Sequence, residues 1–465
     1  MFDYHAARVL PGYDPNAKIT LLQQLKDDLD IIICINAQDK EPRKLRSDFG
    51  ISYDDATLKL IDDLKDKGLT TTAVVITQFE EHKVVEQFEQ ILKLHDIPVY
   101  RHKKIRGYPE DIENVVSENG YGSNLYIPTT KKVVVVTGPG PGSGKMATCL
   151  SQVYHEQKEV RDSGYAKFET FPIWNLPLNH PVNVAYEAAT ADIMDYNQID
   201  PFHLEAYGVK AVNYNRDVQT FPILKRILTE LLKRDVYKSP TDMGVNQAGF
   251  AIIDNEVVEQ AAKQEIIRRY FKYSCEYALG LSNKSTVDRS KMLMDNLNLS
   301  IFDRPVVMPA RNAALSAKEK KKGHDNVYSG AAIQLEDGSI ITGMNSPLLH
   351  ASSALLLNAI KYLAGIPEKI DLLSLNVIES IGKLKSLLGQ SAIPSLSLEE
   401  CLIALTVSAT NNTVANVALE KLRDLNGCEV HLTHIPTPGD EAGLRRLGVN
   451  FTSDPAQASS NLFNK

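Results

Sequence analysis

The first third of the chain alternates short apolar runs with longer amphipathic stretches. The apolar runs predict strands at 30–36, 71–77, 97–102 and 132–137. Apolar residues that recur at helical spacing predict helices at 53–66, 80–95 and 144–160. Short links between alternating strands and helices are typical of βαβ units in a mostly parallel sheet, with helices on both faces. In such a sheet, ligands bind outside the carboxyl ends of the strands.

The rest of the chain changes pattern twice. The middle is richer in helical and aromatic stretches, and it includes a long helical pattern that follows Asp254 and stops at Gly280. From Asn326 onward, two apolar runs flank the turn at 336–338, which predicts a hairpin, and a helix is then predicted from about His350. We therefore predict an α/β fold in three regions, namely a parallel-sheet domain at 1–160, a helical insertion at 161–325 and a smaller C-terminal α/β domain at 326–465.

The strongest motif follows the fourth predicted strand, where four valines lead into a glycine-rich stretch that ends on a lysine. Glycines let backbone N–H groups close around an anion, and the positive end of the following helix faces the same ligand. The residues predicted to hold a phosphate are Gly138, Gly140, Gly142, Ser143, Gly144 and Lys145.

The match to a Walker A loop is incomplete. Pro139 stands at the first glycine position, and Met146 stands where a Ser or Thr would bind Mg²⁺. Such a loop can hold phosphate without orienting Mg²⁺ for hydrolysis. The alternative is a tight turn from strand to helix, in which the glycines serve only close packing.

Basic residues follow two of the predicted strands. Arg43 and Arg46 come after the first strand, and Lys104 and Arg106 come after the third. We expect these side chains to converge on the glycine loop as a clamp for an anionic small molecule. Arg311, in a basic segment before the C-terminal region, either joins this site or belongs to an interdomain linker. The alternative for the residues that follow the two strands is that they are solvated loop charges.

Composition excludes several classes of function. A net charge of −7 and a pI near 5.9 argue against a nucleic-acid-binding surface. Five scattered cysteines without a C-x-x-C pair argue against a disulfide framework and a thiolate zinc site, and they favour the reducing cytoplasm. No uncharged apolar run is long enough to span a bilayer, so we expect no membrane role. The oligomeric state, including a homo-oligomer, is left open.

The predicted C-terminal hairpin and the helix that opens with His350 resemble the core of the cytidine-deaminase fold. Zinc enzymes of that fold carry H-x-E on this helix and P-C-x-x-C later. Here Ser352 stands at the position of the catalytic Glu, and the later stretch at 435–442 contains no cysteine. We therefore expect a cytidine-deaminase-like topology without a metal site, in which His350 makes a polar contact at a helix start.

Four stretches together resemble the bacterial family known as domain of unknown function 1846, and they lie at 106–109, 137–145, 307–314 and 343–353. The resemblance covers essentially the whole chain. It implies a cytoplasmic protein with an α/β N-terminal part, a helical insertion and a smaller C-terminal α/β domain. It implies no particular activity.

The leading hypothesis is an enzyme that binds a nucleotide or a phosphorylated small molecule at the glycine loop. A second hypothesis is a non-catalytic ligand sensor or assembly scaffold, in which the loop holds an anion structurally. A third is a hydrolase or peptidase whose site is not visible in the sequence. The sequence contains neither H-E-x-x-H nor G-x-S-x-G, so no catalytic residue is assigned.

Overall fold

The computed structural model describes residues 10–37, 52–79, 83–140, 142–244, 248–324, 326–388 and 395–458. The chain is a mixed α/β protein that forms two compact units. The first unit contains Pro11–Asn183 and Tyr196–Asn255, and the second contains Val184–Asp195 and Glu256–Lys465. The predicted middle region therefore contributes residues to both units. The division into three regions stays a prediction.

The first unit contains a parallel sheet in the order β3-β2-β1-β4. Its strands are β1 Leu29–Asn36, β2 Thr71–Thr77, β3 Val99–Arg101 and β4 Val133–Thr137. The predicted parallel sheet is therefore confirmed. Each residue of β1 is buried, which is why this strand is an almost continuous apolar run. A separate antiparallel pair consists of β5 Asn197–Ile199 and β6 Val212–Tyr214.

Helices cover one face of this sheet. Side chains of Ile31, Ile33 and Ile35 form a core with Leu64 and Phe88 from two of the helices, while alternate residues of β1 contribute to a smaller cluster on the opposite face. The helix that follows the glycine loop, Lys145–Lys158, is called the loop helix below. The helices of the first unit are Ala17–Gln24, Tyr53–Asp66, Lys83–Leu94, Ile112–Val115, Lys145–Lys158, Pro201–Tyr207, Asn215–Leu232 and Pro240–Met243.

The second unit contains a mixed sheet in the order β10-β9-β7-β8. Its strands are β7 Gly330–Gln334, β8 Ile340–Met344, β9 Glu429–Leu432 and β10 Asn450–Ser453. Strands β7 and β8 form the predicted hairpin, β9 pairs antiparallel with β7, and β10 pairs parallel with β9. The sequence pattern did not predict β9 and β10. A cytidine-deaminase-like topology stays a prediction.

A helix-rich core lies against this second sheet. Leu355 and Ile360 of the helix Ala351–Leu363, called the His350 helix below, pack in one cluster with Ile333 and Val430 of the strands. None of the helices in the described ranges is both long enough and apolar enough to cross a bilayer. The helices that belong wholly or largely to the second unit are Pro181–Ala189, Asn255–Ala278, Lys284–Asn296, Val307–Glu319, Ala351–Leu363, Leu375–Leu387, Leu398–Ala409, Thr413–Glu420 and Pro438–Leu447.

A fully buried arginine ties together the neighbouring strands β9 and β10 of the second sheet. Arg304 donates to Glu429 Oε2 at 2.5 Å and to Thr452 Oγ1 at 2.9 Å. Burial lowers the pKa of Arg304 to about 10, although the charge of Glu429 opposes this effect. Glu429 also accepts from Arg268. This network is part of the core and does not form an open site.

Candidate functional site

The glycine loop lies at the topological switch point of the first sheet. The chain runs from β1 to β2 and β3 on one side, and β4 then pairs with the opposite side of β1. A crevice between the carboxyl ends of β1 and β4 is the usual ligand position in such sheets. The last residues of three strands are polar and buried, namely Asn36, Thr77 and Thr137. The loop starts directly after β4 and therefore borders this crevice.

Two of these strand ends hold the loop by its carbonyl groups. Thr77 Oγ1 donates to Ser143 O at 2.9 Å, and Asn36 Nδ2 donates to Gly142 O at 3.2 Å. Because C=O and N–H point in opposite directions in a trans peptide, the N–H groups of Ser143 and Gly144 point away from these two side chains. The sheet therefore fixes the loop from one side and leaves N–H groups on the other.

The loop presents a run of backbone donors without a partner among the residues that the structure describes. None of the backbone N–H groups at 142–147 donates a hydrogen bond to another residue that the structure describes. The helix start accounts for the N–H groups at 144–147, since the first four N–H groups of a helix have no intrahelical partner. The loop adds Gly142 and Ser143 to the run. Consecutive donors at the positive end of a helix form an anion-binding concavity.

Two of the glycines are required by geometry. Gly144 has φ +83°, and a Cβ added there would lie 2.6 Å from Thr77 Oγ1. A Cβ on Gly138 would lie 2.5 Å from Cys34 O. A larger residue at either position would push the loop off the sheet. A Cβ at Gly140 would meet a ring carbon of Tyr53, which packs against the loop.

Lys145 folds back onto its own loop. Its Nζ donates to Gly140 O at 2.8 Å and to Ser143 Oγ at 3.2 Å. Ser143 Oγ in turn donates to Gly140 O at 3.0 Å. Burial lowers the pKa of Lys145, and the negative charge of Glu169 partly opposes this. An ammonium group has three N–H donors, and two of those of Lys145 have partners among the described residues.

The buried side chains around the first turn of the loop helix are polar but uncharged at neutral pH. Thr148 is fully buried, and its Oγ1 lies 3.5 Å from Nδ1 of His102. Burial lowers the pKa of His102 to about 4, and it raises the pKa values of Cys34 and Cys149 to about 12. These thiols are therefore protonated and unsuited to nucleophilic attack. Lys145 supplies the positive charge here.

The other predicted clamp residues are placed less closely. Lys104 and Arg106 are exposed and follow β3; β3 and β4 are the outer strands of the sheet, about 14 Å apart at the usual strand spacing. Arg43 and Arg46 lie outside the described residues. Arg311 belongs to the second unit, where its NH2 group lies 2.7 Å from Asp454 Oδ1. Their roles in a clamp stay predictions.

A second polar cluster joins elements of the second unit. His350 precedes the His350 helix, and its Nδ1 lies 2.7 Å from Oδ2 of Asp440. Asp440 belongs to the helix Pro438–Leu447, which follows β9. Ser352, at the position where the deaminase pattern has Glu, donates to Asp440 Oδ1 at 2.7 Å. The predicted polar contact of His350 at a helix start is therefore present.

Asp440 also binds the start of a third helix. It is 4 % exposed, and it accepts from Leu398 N at 2.9 Å and from Thr437 Oγ1 at 2.7 Å. Burial raises the pKa of Asp440, but the hydrogen bonds from His350, Ser352 and Thr437 outweigh this and hold it below its usual range. Sequence reasoning missed Asp440. The T-x-x-D pattern of a helix cap indicates that Asp440 lies at a helix start, but this pattern does not reveal the partners of Asp440.

The described residues include no group of three or more His, Cys, Asp or Glu side chains that could hold a metal ion. The cysteines are all free thiols.

Two family models match the chain. One, described as Domain of unknown function DUF1846, N-terminal, matches residues 1–298, and its C-terminal counterpart matches residues 302–463. Similar curated proteins include a UPF0371 protein of Clostridium tetani (strain Massachusetts / E88), which is 52% identical over 465 residues, 100% of this chain and 92% of the relative. A UPF0371 protein of Clostridium botulinum (strain Alaska E43 / Type E3) is 50% identical over 463 residues, 99% of this chain and 92% of the relative.

Proposed function

We propose a function from the site itself, because the chain belongs to the DUF1846 family over nearly its whole length and that family carries no assigned activity. The first unit binds the phosphate of a nucleotide or a phosphorylated small molecule at the glycine loop. The observation that carries this proposal is the run of N–H groups at 142–147 that have no partner in the described part of the chain, next to the switch point of the parallel sheet.

The charge balance at the loop favours an anion. The strand ends that border it carry the neutral side chains of Asn36, Thr77 and Thr137, so no carboxylate from these positions opposes a phosphate. Lys145 contributes a positive charge and one N–H without a partner in the described part of the chain. A neutral ligand would leave most of these donors unpaired, which costs free energy once water is excluded.

Met146 bears on the choice between an enzyme and a sensor. Its side chain is 37% exposed at the position where a P-loop enzyme uses a hydroxyl to bind Mg²⁺. This favours phosphate binding without hydrolysis of the P-loop kind. The same observation supports a second candidate function, a non-catalytic sensor that binds the ligand without turning it over.

Isothermal titration calorimetry on the full chain tests the proposal, with inorganic phosphate, AMP and ATP as probes, each with and without Mg²⁺. At least one probe should bind to the wild-type protein. Lys145→Ala should weaken that binding by about 1.5–3 kcal/mol, roughly 10- to 100-fold, because a hydrogen bond to a charged group is lost. Phosphorus NMR of the same mixtures shows whether the ligand is turned over, which separates the enzyme from the sensor.

Lys132→Ala is the matched control. Lys132 is exposed and precedes β4, at the amino end of the strand that leads into the loop. Its removal should leave affinity unchanged. Lys145→Gln tests the charge separately, because glutamine can still donate to Gly140 O. If all probes fail to bind, or if Lys145→Ala binds as tightly as Lys132→Ala, the proposal is wrong.

Two further assignments belong with this proposal. We infer a reducing, cytoplasmic location, supported by five free thiols. We also infer that the second unit shares the cytidine-deaminase topology without its zinc chemistry, supported by the chain order of hairpin, helix and two parallel strands.

A further inference from the structure

A recess continues from the glycine loop along one side of the loop helix. One wall carries Lys145 and Cys149, which are four residues apart and therefore lie on one face of this helix. Both residues are only half-buried, yet burial lowers the pKa of Lys145 and raises that of Cys149 to about 12. Groups that solvent reaches, but that are largely desolvated by the protein around them, line a recess and not an open surface.

The opposite wall of the recess is a strand-like segment. Lys167 makes a parallel bridge to a neighbouring segment of the first unit, and alternate residues of a strand-like segment point to the same side. Tyr165, Lys167 and Glu169 therefore share one side. Electrostatic contacts link Lys145 to Glu169 and to Lys167, and another links Cys149 to Tyr165. The shared side therefore faces the loop helix, with Glu169 near the loop and Tyr165 further along.

Two carboxylates of the recess are held by one lysine. Lys167 Nζ donates to Asp217 Oδ1 at 2.5 Å and lies 3.5 Å from Glu169 Oε1. Asp217 belongs to the first turn of the helix Asn215–Leu232, which packs against the loop helix. The side chains of Glu169 and Asp217 are 37% and 18% exposed, and an ionised carboxylate has roughly four acceptor sites. Both carboxylates can therefore accept further hydrogen bonds from a ligand.

A buried phenol lies at the deep end of the recess. Ser151 Oγ of the loop helix donates to Tyr121 O at 3.1 Å, which places Tyr121 beyond Cys149 as seen from the loop. Tyr121 is fully buried, and its hydroxyl group makes no hydrogen bond of normal geometry to any residue in the described ranges. Burial raises the pKa of Tyr121, and the nearby phenols of Tyr108 and Tyr165 raise it further. An unpaired buried hydroxyl costs free energy, and a polar group of a ligand at this end would remove that cost.

From this arrangement we propose that the ligand of the first unit is a phosphorylated sugar, with its phosphate at the glycine loop and its hydroxyl groups in the recess. The inference rests on the phosphate-binding function proposed above. Sugar hydroxyls both donate and accept, so they can pair with the carboxylates of Glu169 and Asp217 and with the phenol of Tyr165. The two carboxylates would repel a second phosphate or a carboxylate on the ligand.

The dimensions of the recess favour a sugar over a nucleoside. Lys145 and Cys149 lie about 6 Å apart along the helix axis, a length that suits one sugar ring, whereas a nucleoside adds a planar base to such a ring. The ring of Tyr108 packs edge-on against Tyr121, with 6.4 Å between the ring centres. Tyr108 belongs to the stretch at 106–109, one of the four on which the family resemblance rests. The inference therefore gives this stretch a position at the end of the ligand site.

Calorimetry on the full chain tests the inference with ribose 5-phosphate, glucose 6-phosphate, phenyl phosphate, AMP and inorganic phosphate as probes. At least one sugar phosphate should bind the wild-type protein about 10-fold more tightly than phenyl phosphate, which has the phosphate but no hydroxyl groups, and more tightly than AMP. Glu169→Gln should weaken sugar-phosphate binding by about 10-fold, as expected when a hydrogen bond to a charged group is lost. The same variant should strengthen the binding of inorganic phosphate, because it removes a negative charge that acts on Lys145.

Glu159→Gln is the matched control, since Glu159 is exposed and directly follows the loop helix at its far end. The inference is wrong if phenyl phosphate or AMP binds the wild-type protein as tightly as both sugar phosphates do, and this comparison needs no variant. It is also wrong if Glu169→Gln binds the sugar phosphate as tightly as Glu159→Gln does. In both cases the phosphate-binding proposal stands as long as inorganic phosphate or phenyl phosphate binds. If none of the five probes binds, the phosphate-binding proposal is wrong and the sugar inference fails with it.

Discussion

Asp440→Ala should destabilise the second unit more than any surface substitution. The carboxylate of Asp440 accepts hydrogen bonds from the starts of three helices, through His350 Nδ1, Ser352 Oγ, Leu398 N and Thr437 Oγ1, at 2.7–2.9 Å. Each of these helix starts carries a partial positive charge. Alanine would remove the acceptor and leave buried donors unpaired.

The magnitude follows from these four contacts. A hydrogen bond to a charged group contributes about 1.5–3 kcal/mol, but simple addition overcounts, because removing Asp440 also removes the cost of burying its charge. We expect a loss of about 3–5 kcal/mol in the free energy of unfolding, the range for breaking a buried ionic contact. Asp440→Asn keeps the volume and one acceptor oxygen, so its cost should be about 1–3 kcal/mol.

Urea denaturation followed by circular dichroism measures these losses, and hydrogen exchange at Leu398 N reports the local contact. Asp288→Asn, an exposed substitution in a helix of the same unit, should change stability by about 0.5 kcal/mol or less. A loss below about 1 kcal/mol for Asp440→Ala, with Leu398 N still protected from exchange, would show that the carboxylate does not hold the helix starts together.

Two predictions concern the first unit. Burial lowers the pKa of His102 from 6.5 to about 4, so the unfolded state binds the proton more readily, and the free energy of unfolding should fall by about 3 kcal/mol at most as pH drops from about 6.5 to 4. Urea titrations at both pH values should show a smaller dependence of this free energy on pH for His102→Gln than for the wild-type protein. An equal dependence would refute the assignment. Gly144→Ala should lower the free energy of unfolding by about 1–3 kcal/mol more than Gly68→Ala does, because both glycines have positive φ but only a Cβ at Gly144 would contact Thr77. Equal shifts in melting temperature for the two variants would contradict this.

Local patterns predicted the elements of the first sheet well, because strands buried on both faces have few polar residues. The run predicted at 71–77 is β2 without change, and the run at 30–36 is β1 with one added residue. The pattern failed for β9 and β10, which have four residues each and begin with Glu429 and Asn450. Such short strands contain too few positions for alternation to stand out.

The candidate sites also contain some features that the sequence predicted and others that it did not. Glycine spacing located the loop, since the need for positive φ and for close approach to the strands is local to the chain. The order of the strands in the sheet was not predictable from glycine spacing, because the crossover from β3 to β4 depends on contacts between distant residues. The partner of His350 was also hidden, since Asp440 lies 90 positions away and only folding brings their side chains together.

The strand ends of the first unit would order the loop for the proposed ligand before it binds. Asn36 and Thr77 bind carbonyl oxygens of the loop, and Lys145 binds another, so the backbone at Gly140 and at 142–144 is held by side chains of the protein itself. Ordering one residue costs about 1–2 kcal/mol of conformational free energy. When the fold has already met that cost, a ligand at the N–H groups needs only to be desolvated and positioned. In the proposed complex, the buried polar residues that end β1 and β2 would therefore act on binding through the backbone, without contact to the ligand.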